Sequence, residues 1–138
     1  MSSESNIERI RDAMEAFNRR DFDGALEIAT DDFTWQAFLA RTETPLLQGK
    51  EAIKSAWTSQ VETLDLKVEP QQFEAMGDFN VVVTAELVAH GAGSDIRLTR
   101  AIVWLWTFNE EGLGKSIEVF DSRDEAVATA RSRAPGAG

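Results

Sequence analysis

The chain has 138 residues, no cysteine and one histidine: enough for one domain spanning 1–138, and too few ligands for a disulfide, a thiolate metal site or a two-histidine zinc site. With 24 Asp plus Glu against 14 Lys plus Arg, the net charge is −10, which repels phosphates and anionic headgroups and makes nucleic acid and membrane surfaces poor partners. No apolar run approaches the ~20 residues of a membrane span, and the polar start Met1-Ser2-Ser3-Glu4 is no secretion signal, so a cytoplasmic location is expected.

Ser5-Asn6-Ile7-Glu8 matches a capping box, and Ile7, Ile10, Met14 and Phe17 follow at helical spacing, predicting an amphipathic first helix. Asp21 is placed to cap a short second helix carrying Ala25, Leu26 and Ala29, which Thr30-Asp31-Asp32 ends. Phe33, Trp35 and Ala37 alternate with Thr34, Gln36 and Phe38, a short strand with aromatics on both faces. A loop containing Pro45 leads to a third helix over 50–64, where Ile53, Trp57, Val61 and Leu64 recur three or four apart.

The period then changes to two. Leu66 and Val68 open a strand that Pro70 bends or holds at an edge, and Gly77-Asp78 is a turn signal. Strands are predicted over 80–90, 96–108 and 116–120, with Gly91 to Asp95 as a hairpin loop. Ser122-Arg123-Asp124-Glu125 is a second capping box, opening a terminal helix with Ala126, Val127 and Ala130 on one stripe. The ordered core is expected over about 5–131, ahead of a disordered tail. Helices followed by a four-strand meander indicate an α+β domain with its helices on one face of the sheet. A sheet curling around a long helix leaves a blind apolar cavity, the natural place for a small ligand.

Several segments resemble a known family. Ala16-Phe17-Asn18-Arg19-Arg20-Asp21 with Asp31-Asp32-Phe33-Thr34-Trp35 looks like the start of the SnoaL-like branch of the nuclear transport factor 2-like superfamily. Gly49-Lys50-Glu51-Ala52-Ile53 fits its helix opening, Trp106-Thr107-Phe108 with Gly112 and Lys115 its late hairpin, and Phe120-Asp121-Ser122-Arg123-Asp124-Glu125-Ala126 its final strand and helix. The resemblance implies a curved antiparallel sheet wrapped around N-terminal helices, cone-shaped with an internal pocket, and commonly a homodimer packed through the sheet. The chemistry stays open, because the superfamily includes isomerases, dehydratases, epoxide hydrolases, cyclases and binding proteins.

Matching the family's motifs onto this chain narrows that range. A ketosteroid isomerase needs a carboxylate base, a tyrosine and a protonated aspartate. Those positions fall at Ala37, near Ala13 and near Trp104, and the chain has no tyrosine. The arginine–aspartate pair of limonene epoxide hydrolase is missing, since Ile102 stands two residues after Arg100. The histidine and tyrosine set of scytalone dehydratase is equally incomplete. A cyclase of the SnoaL kind, needing one acid–base carboxylate in an apolar pocket, survives.

Pairing His90 with Ile96 across the hairpin sets Glu86 opposite Arg100 and Val82 opposite Trp104. By analogy with the family, the Trp104 face looks into the cavity. Glu86 or His90 is then the candidate acid–base and Arg100 the oxyanion partner, in proton-transfer chemistry that needs no cofactor. The plainer alternatives are a surface ion pair and a solvated strand end. Trp35, Phe38, Trp57, Trp104, Trp106 and Phe120 are the candidate ligand-binding residues: 4 Trp without a Tyr suit flat apolar walls for a polycyclic molecule. Plain core packing for Trp57, and a dimer interface for Trp104 and Trp106, are the competing roles. Two readings follow, a pocket protein for a small hydrophobic molecule, with or without acid–base chemistry, and a non-catalytic binding or interaction module.

Overall fold

A computed structural model describes residues 3–35, 47–77, 79–90, 97–120 and 122–133. Helix α1 spans Ser3–Asn18 and buries Ile10, Ala13, Met14 and Phe17 along one stripe, the spacing that a period of 3.6 requires. It begins at Ser3, so Ser5 and Glu8 lie inside its first turns and Ser5 is not at the N-cap position expected of it. The short α2 (Phe22–Leu26) is capped as expected, the Asp21 side chain accepting from the Gly24 N–H. Ala29, expected on that helix, instead opens β1 (Ala29–Trp35), which takes in Asp31 and Asp32 as exposed strand residues. The two-residue β2 (Leu47–Gln48) pairs with it. Helix α3 (Lys50–Leu64) has the predicted bounds.

The remaining strands are β3 (Lys67–Met76), β4 (Asn80–His90), β5 (Arg97–Phe108) and β6 (Gly114–Phe120), followed by α4 (Arg123–Arg133). The sheet order is β2-β1-β6-β5-β4-β3. β3 to β6 form the expected antiparallel meander, with an irregularity at Pro70 where its missing N–H interrupts the ladder. β1, however, joins β6 in parallel, so the sheet is mixed.

The two faces of the sheet bury different things. On the inner face Val81, Val83, Ala85, Trp104 and Trp106 pack with α1 and α3 in the main core. On the outer face Val82, Val103 and Leu105 pack against Ala126, Val127 and Ala130 of α4. The terminal helix is therefore on the opposite side from the others, which corrects the one-face arrangement expected from element order. Its predicted cap is present, Ser122 Oγ accepting from the Glu125 N–H at 3.2 Å. Arg123 at its start binds Glu74 of β3 through Nε at 2.7 Å. The tail over 134–138, expected to be disordered, and the loop over 91–95, expected to be a hairpin turn, lie outside the described residues.

Candidate functional site: an apolar cavity with two indole donors

A cavity sits between the helices and the inner face of the sheet. Ala13, Met14 and Phe17 of α1 form one wall, with Leu26 of α2 beside them. Trp57 of α3 closes the side, and Val68, Trp104, Trp106 and Ile117 present the sheet, next to Phe33 and Trp35 of β1. Each of these positions follows from local structure. Trp104 and Trp106 are alternate residues of one strand and so share a face. Phe33 and Trp35 do the same on β1, and Met14 and Phe17 are three apart on a helix.

Four rings lock together at one end. Trp57 meets Phe17, Phe22 and Trp35 edge-on, with centroids 5.3, 5.9 and 5.8 Å away, the geometry favoured by the aromatic quadrupole. Trp106 stacks with Phe108 at 6.2 Å and 19°. The cavity volume is about 50 Å³, room for a few water molecules but well short of the ~300–1,000 Å³ of sites that engulf whole organic ligands. Two larger spaces, of about 490 and 530 Å³, are lined in part by charged groups such as Arg11, Glu15, Asp32 and Lys115. The smaller cavity is the better candidate for an apolar ligand, because its described lining carries no charged group.

The polar content of this cavity is unusual in kind. Among the described residues every lining side chain is apolar apart from the tryptophan N–H groups. Trp104 and Trp106 are 5 % and 6 % exposed, and the Nε1 atoms of both are buried without a hydrogen-bond partner. A third such atom, Thr30 Oγ1, belongs to β1 and is not part of the lining. Among the described residues no group of three or more His, Cys, Asp or Glu is arranged to hold a metal. The two resolved proton-affinity shifts are on the surface. Asp23 raises Lys54 by hydrogen bond and charge, and Glu74 raises Arg123 in the same way.

The sequence-predicted residues divide clearly. Trp35, Trp57, Trp104 and Trp106 line the cavity. The latter two are buried within a single chain, so they are not the surface of a dimer. Phe38 lies outside the described residues. Phe120 does not line the cavity: it pairs with Val103 on the outer face and packs with the α4 cluster. The expected Glu86–Arg100 pair does not form. His90 faces Arg97, Glu86 faces Ala101 and Arg100 faces Leu87, a one-residue slip that sends alternate side chains to the other face. Glu86 and His90 are consequently on the outer face, and Glu86 has Glu69 as its other cross-strand neighbour. Arg100 shares the Trp104 face but lies beyond Ile102, exposed. None of the three lines the cavity. Met14, Phe33 and Ile117 were not singled out, although the alternation of Phe33 with Trp35 carried the signal.

The SnoaL-like domain model matches residues 10–119. The chain belongs to the SnoaL-like domain family. No curated protein matches it, but solved structures share the fold. RV0760c from Mycobacterium tuberculosis, in complex with estradiol-17beta-hemisuccinate, superposes with a TM-score of 0.73 at 14% identity, covering 87% of this chain and 95% of that one. A candidate polyketide cyclase from Xanthomonas campestris gives 0.75 at 14% identity, with 94% and 99% covered. TerC co-crystallised with polyporic acid gives 0.71 at 21% identity, with 91% and 98% covered. At these identities the SnoaL-like domain shares their α+β cone, six strands curved around helices, and nothing finer.

Proposed function

We propose that this SnoaL-like domain binds a small, flat, hydrophobic molecule between α1, α3 and the inner face of the sheet. The observation that carries this reading is a cavity whose described lining is apolar and includes three tryptophans from two elements, Trp57, Trp104 and Trp106, alongside Trp35. Rings of this size supply wide contact with little side-chain entropy to lose. The complexes of RV0760c with estradiol-17beta-hemisuccinate and of TerC with polyporic acid support the ligand class. Because the cavity is about 50 Å³, a polycyclic guest enters only as the walls part. Met14 on α1 is the movable part of the wall, since methionine repacks at low cost.

Binding is placed ahead of catalysis because, among the described residues, no lining side chain is a carboxylate, an imidazole or a cation, and a general base must reach its proton directly or through one water. A homodimer through the sheet belongs to the same reading. It uses the part of the outer face that α4 leaves open, where Asn80, Thr107, Ser116, Thr34 and Gln48 line a polar cleft. Light scattering at micromolar concentration is expected to give twice the 15.3 kDa chain mass, and a monomeric mass refutes the dimer. Tryptophan fluorescence during titration with a panel of aromatic and terpenoid compounds tests the pocket. A saturable change with at least one of them is expected, and no response from any member overturns the reading.

A further inference from the structure

We infer that the ligand carries a carbonyl-type oxygen that is buried against the indole N–H groups of Trp104 and Trp106. This rests on the ligand-binding reading and deepens it by naming the polar feature the ligand must have. Both Nε1 atoms are buried without a partner, on rings that are 5 % and 6 % exposed and that line the same cavity. Buried donors are nearly always satisfied in folded proteins, and an exception calls for an explanation. Two exceptions two residues apart on one strand, on rings that line one apolar cavity, have a common explanation: their acceptor arrives with the ligand.

The surroundings restrict that acceptor. An indole N–H only donates, and among the described residues no lining side chain offers an oxygen or nitrogen acceptor. A hydroxyl on the ligand would accept from an indole but leave its own O–H without a side-chain acceptor. A carboxylate or enolate would bring an uncompensated charge into apolar surroundings, inside a chain whose net charge is already −10. A neutral oxygen that only accepts, as in a ketone or quinone, satisfies the donors without either cost. Alternate residues on a strand are about 7 Å apart, so the two indoles reach either one carbonyl from two sides or two carbonyls along one flat ring system.

Two small probes of matched shape, 1-indanone and indane, differ by one carbonyl. In a pocket without donors the ketone is the weaker binder, because its oxygen loses water and gains nothing. With the indoles as donors, 1-indanone binds the wild-type chain at least as tightly as indane. In proton–nitrogen NMR spectra, the Nε1–H signals of Trp104 and Trp106, assigned by Trp104→Phe and Trp106→Phe, move downfield with the ketone and not with the hydrocarbon. In the double variant both probes lose the contact area of the indoles, but 1-indanone falls about ten-fold further than indane, the loss expected for an unmet buried acceptor. If both probes bind but the ketone is weaker in the wild type, with the two indole signals unmoved, the carbonyl inference is overturned and the pocket stands. If neither binds, the pocket reading falls and takes this one with it. The wild-type spectra decide the matter even where the variants do not fold.

Discussion

Trp57 is the residue on which the stability of the cavity wall turns, and its truncation is the sharpest test of the packing. It is 7 % exposed, and a tryptophan in such a place removes up to ~250 Å² from water. At ~25 cal/mol per Å² that is up to ~6 kcal/mol, of which the alanine stub retains a share. The three edge-on contacts with Phe17, Phe22 and Trp35 are lost at the same time. Trp57→Ala is therefore expected to cost about 4 kcal/mol, inside the 3–5 kcal/mol usual for such truncations. With an unfolding entropy near 0.3 kcal/mol/K for a chain of this length, Tm falls by about 14 °C. Urea unfolding followed by far-ultraviolet circular dichroism measures it, with the slope m held constant as the check that only stability changed. Trp57→Phe, which keeps a ring among the other three, is expected to cost about 1–2 kcal/mol. A loss below about 2 kcal/mol for Trp57→Ala refutes the reasoning, because it means the neighbouring cavity lets the walls collapse and Trp57 is not holding them apart.

Asn18 clamps α1 to β3 through both ends of its amide, donating to the Val68 carbonyl and accepting from the Val68 N–H, each at 2.9 Å; Asn18→Ala leaves both backbone groups unmet and is expected to cost about 2 kcal/mol in urea melts. Asp21→Ala removes the cap of α2, at about 1 kcal/mol. A Cβ on Gly24 meets Asp21 Oδ2 head-on, so Gly24→Ala is destabilising alone and costs nothing further in the Asp21→Ala background; additive losses in a double-mutant cycle refute that contact. Lys54 is held above its ordinary value by Asp23, 2.9 Å away, and a base raised by folding stabilises fully below its unfolded value and loses that contribution as pH rises through the folded one. The small Tm difference between wild type and Lys54→Gln is thus present at neutral pH and closes above about pH 10.5; a gap that widens there is incompatible with the pair. Glu86→Gln, His90→Gln and Arg100→Gln are expected to leave affinity for 1-indanone and indane within about two-fold, since none of the three lines the cavity.

Local signals carried most of the fold. The bounds of α3 and β4, the caps at Asp21 and Ser122, and the break at Pro70 all follow from short-range chemistry visible in the residues themselves. The tryptophans were legible as pocket residues because alternation and helical spacing fix which side chains share a face. Register was not. Val81, Val82 and Val83 are all fully or almost fully buried, because β4 has a core on each side, so no hydrophobic alternation tells one face from the other. The slip moved Glu86 and His90 out of the expected site while leaving the bounds of β4 and β5 nearly unchanged. The position of α4 was hidden for the same reason. Its small stripe of Ala126, Val127 and Ala130 shows that one side is buried, but not against which face of the sheet. The parallel joining of β1 to β6 is a long-range choice with no local marker.

That joining has a consequence for how the protein is made. β1 is the first strand to leave the ribosome and β6 the last, yet Ala29 pairs with Gly114 and Trp35 with Ile117. Synthesis runs from the N-terminus at ~5–20 residues per second, so Phe33 and Trp35 emerge seconds before the strand that shields them. The cavity does not exist in a nascent chain that has not yet released β6. A ligand therefore cannot guide the early steps of folding; it can only select and hold the finished molecule.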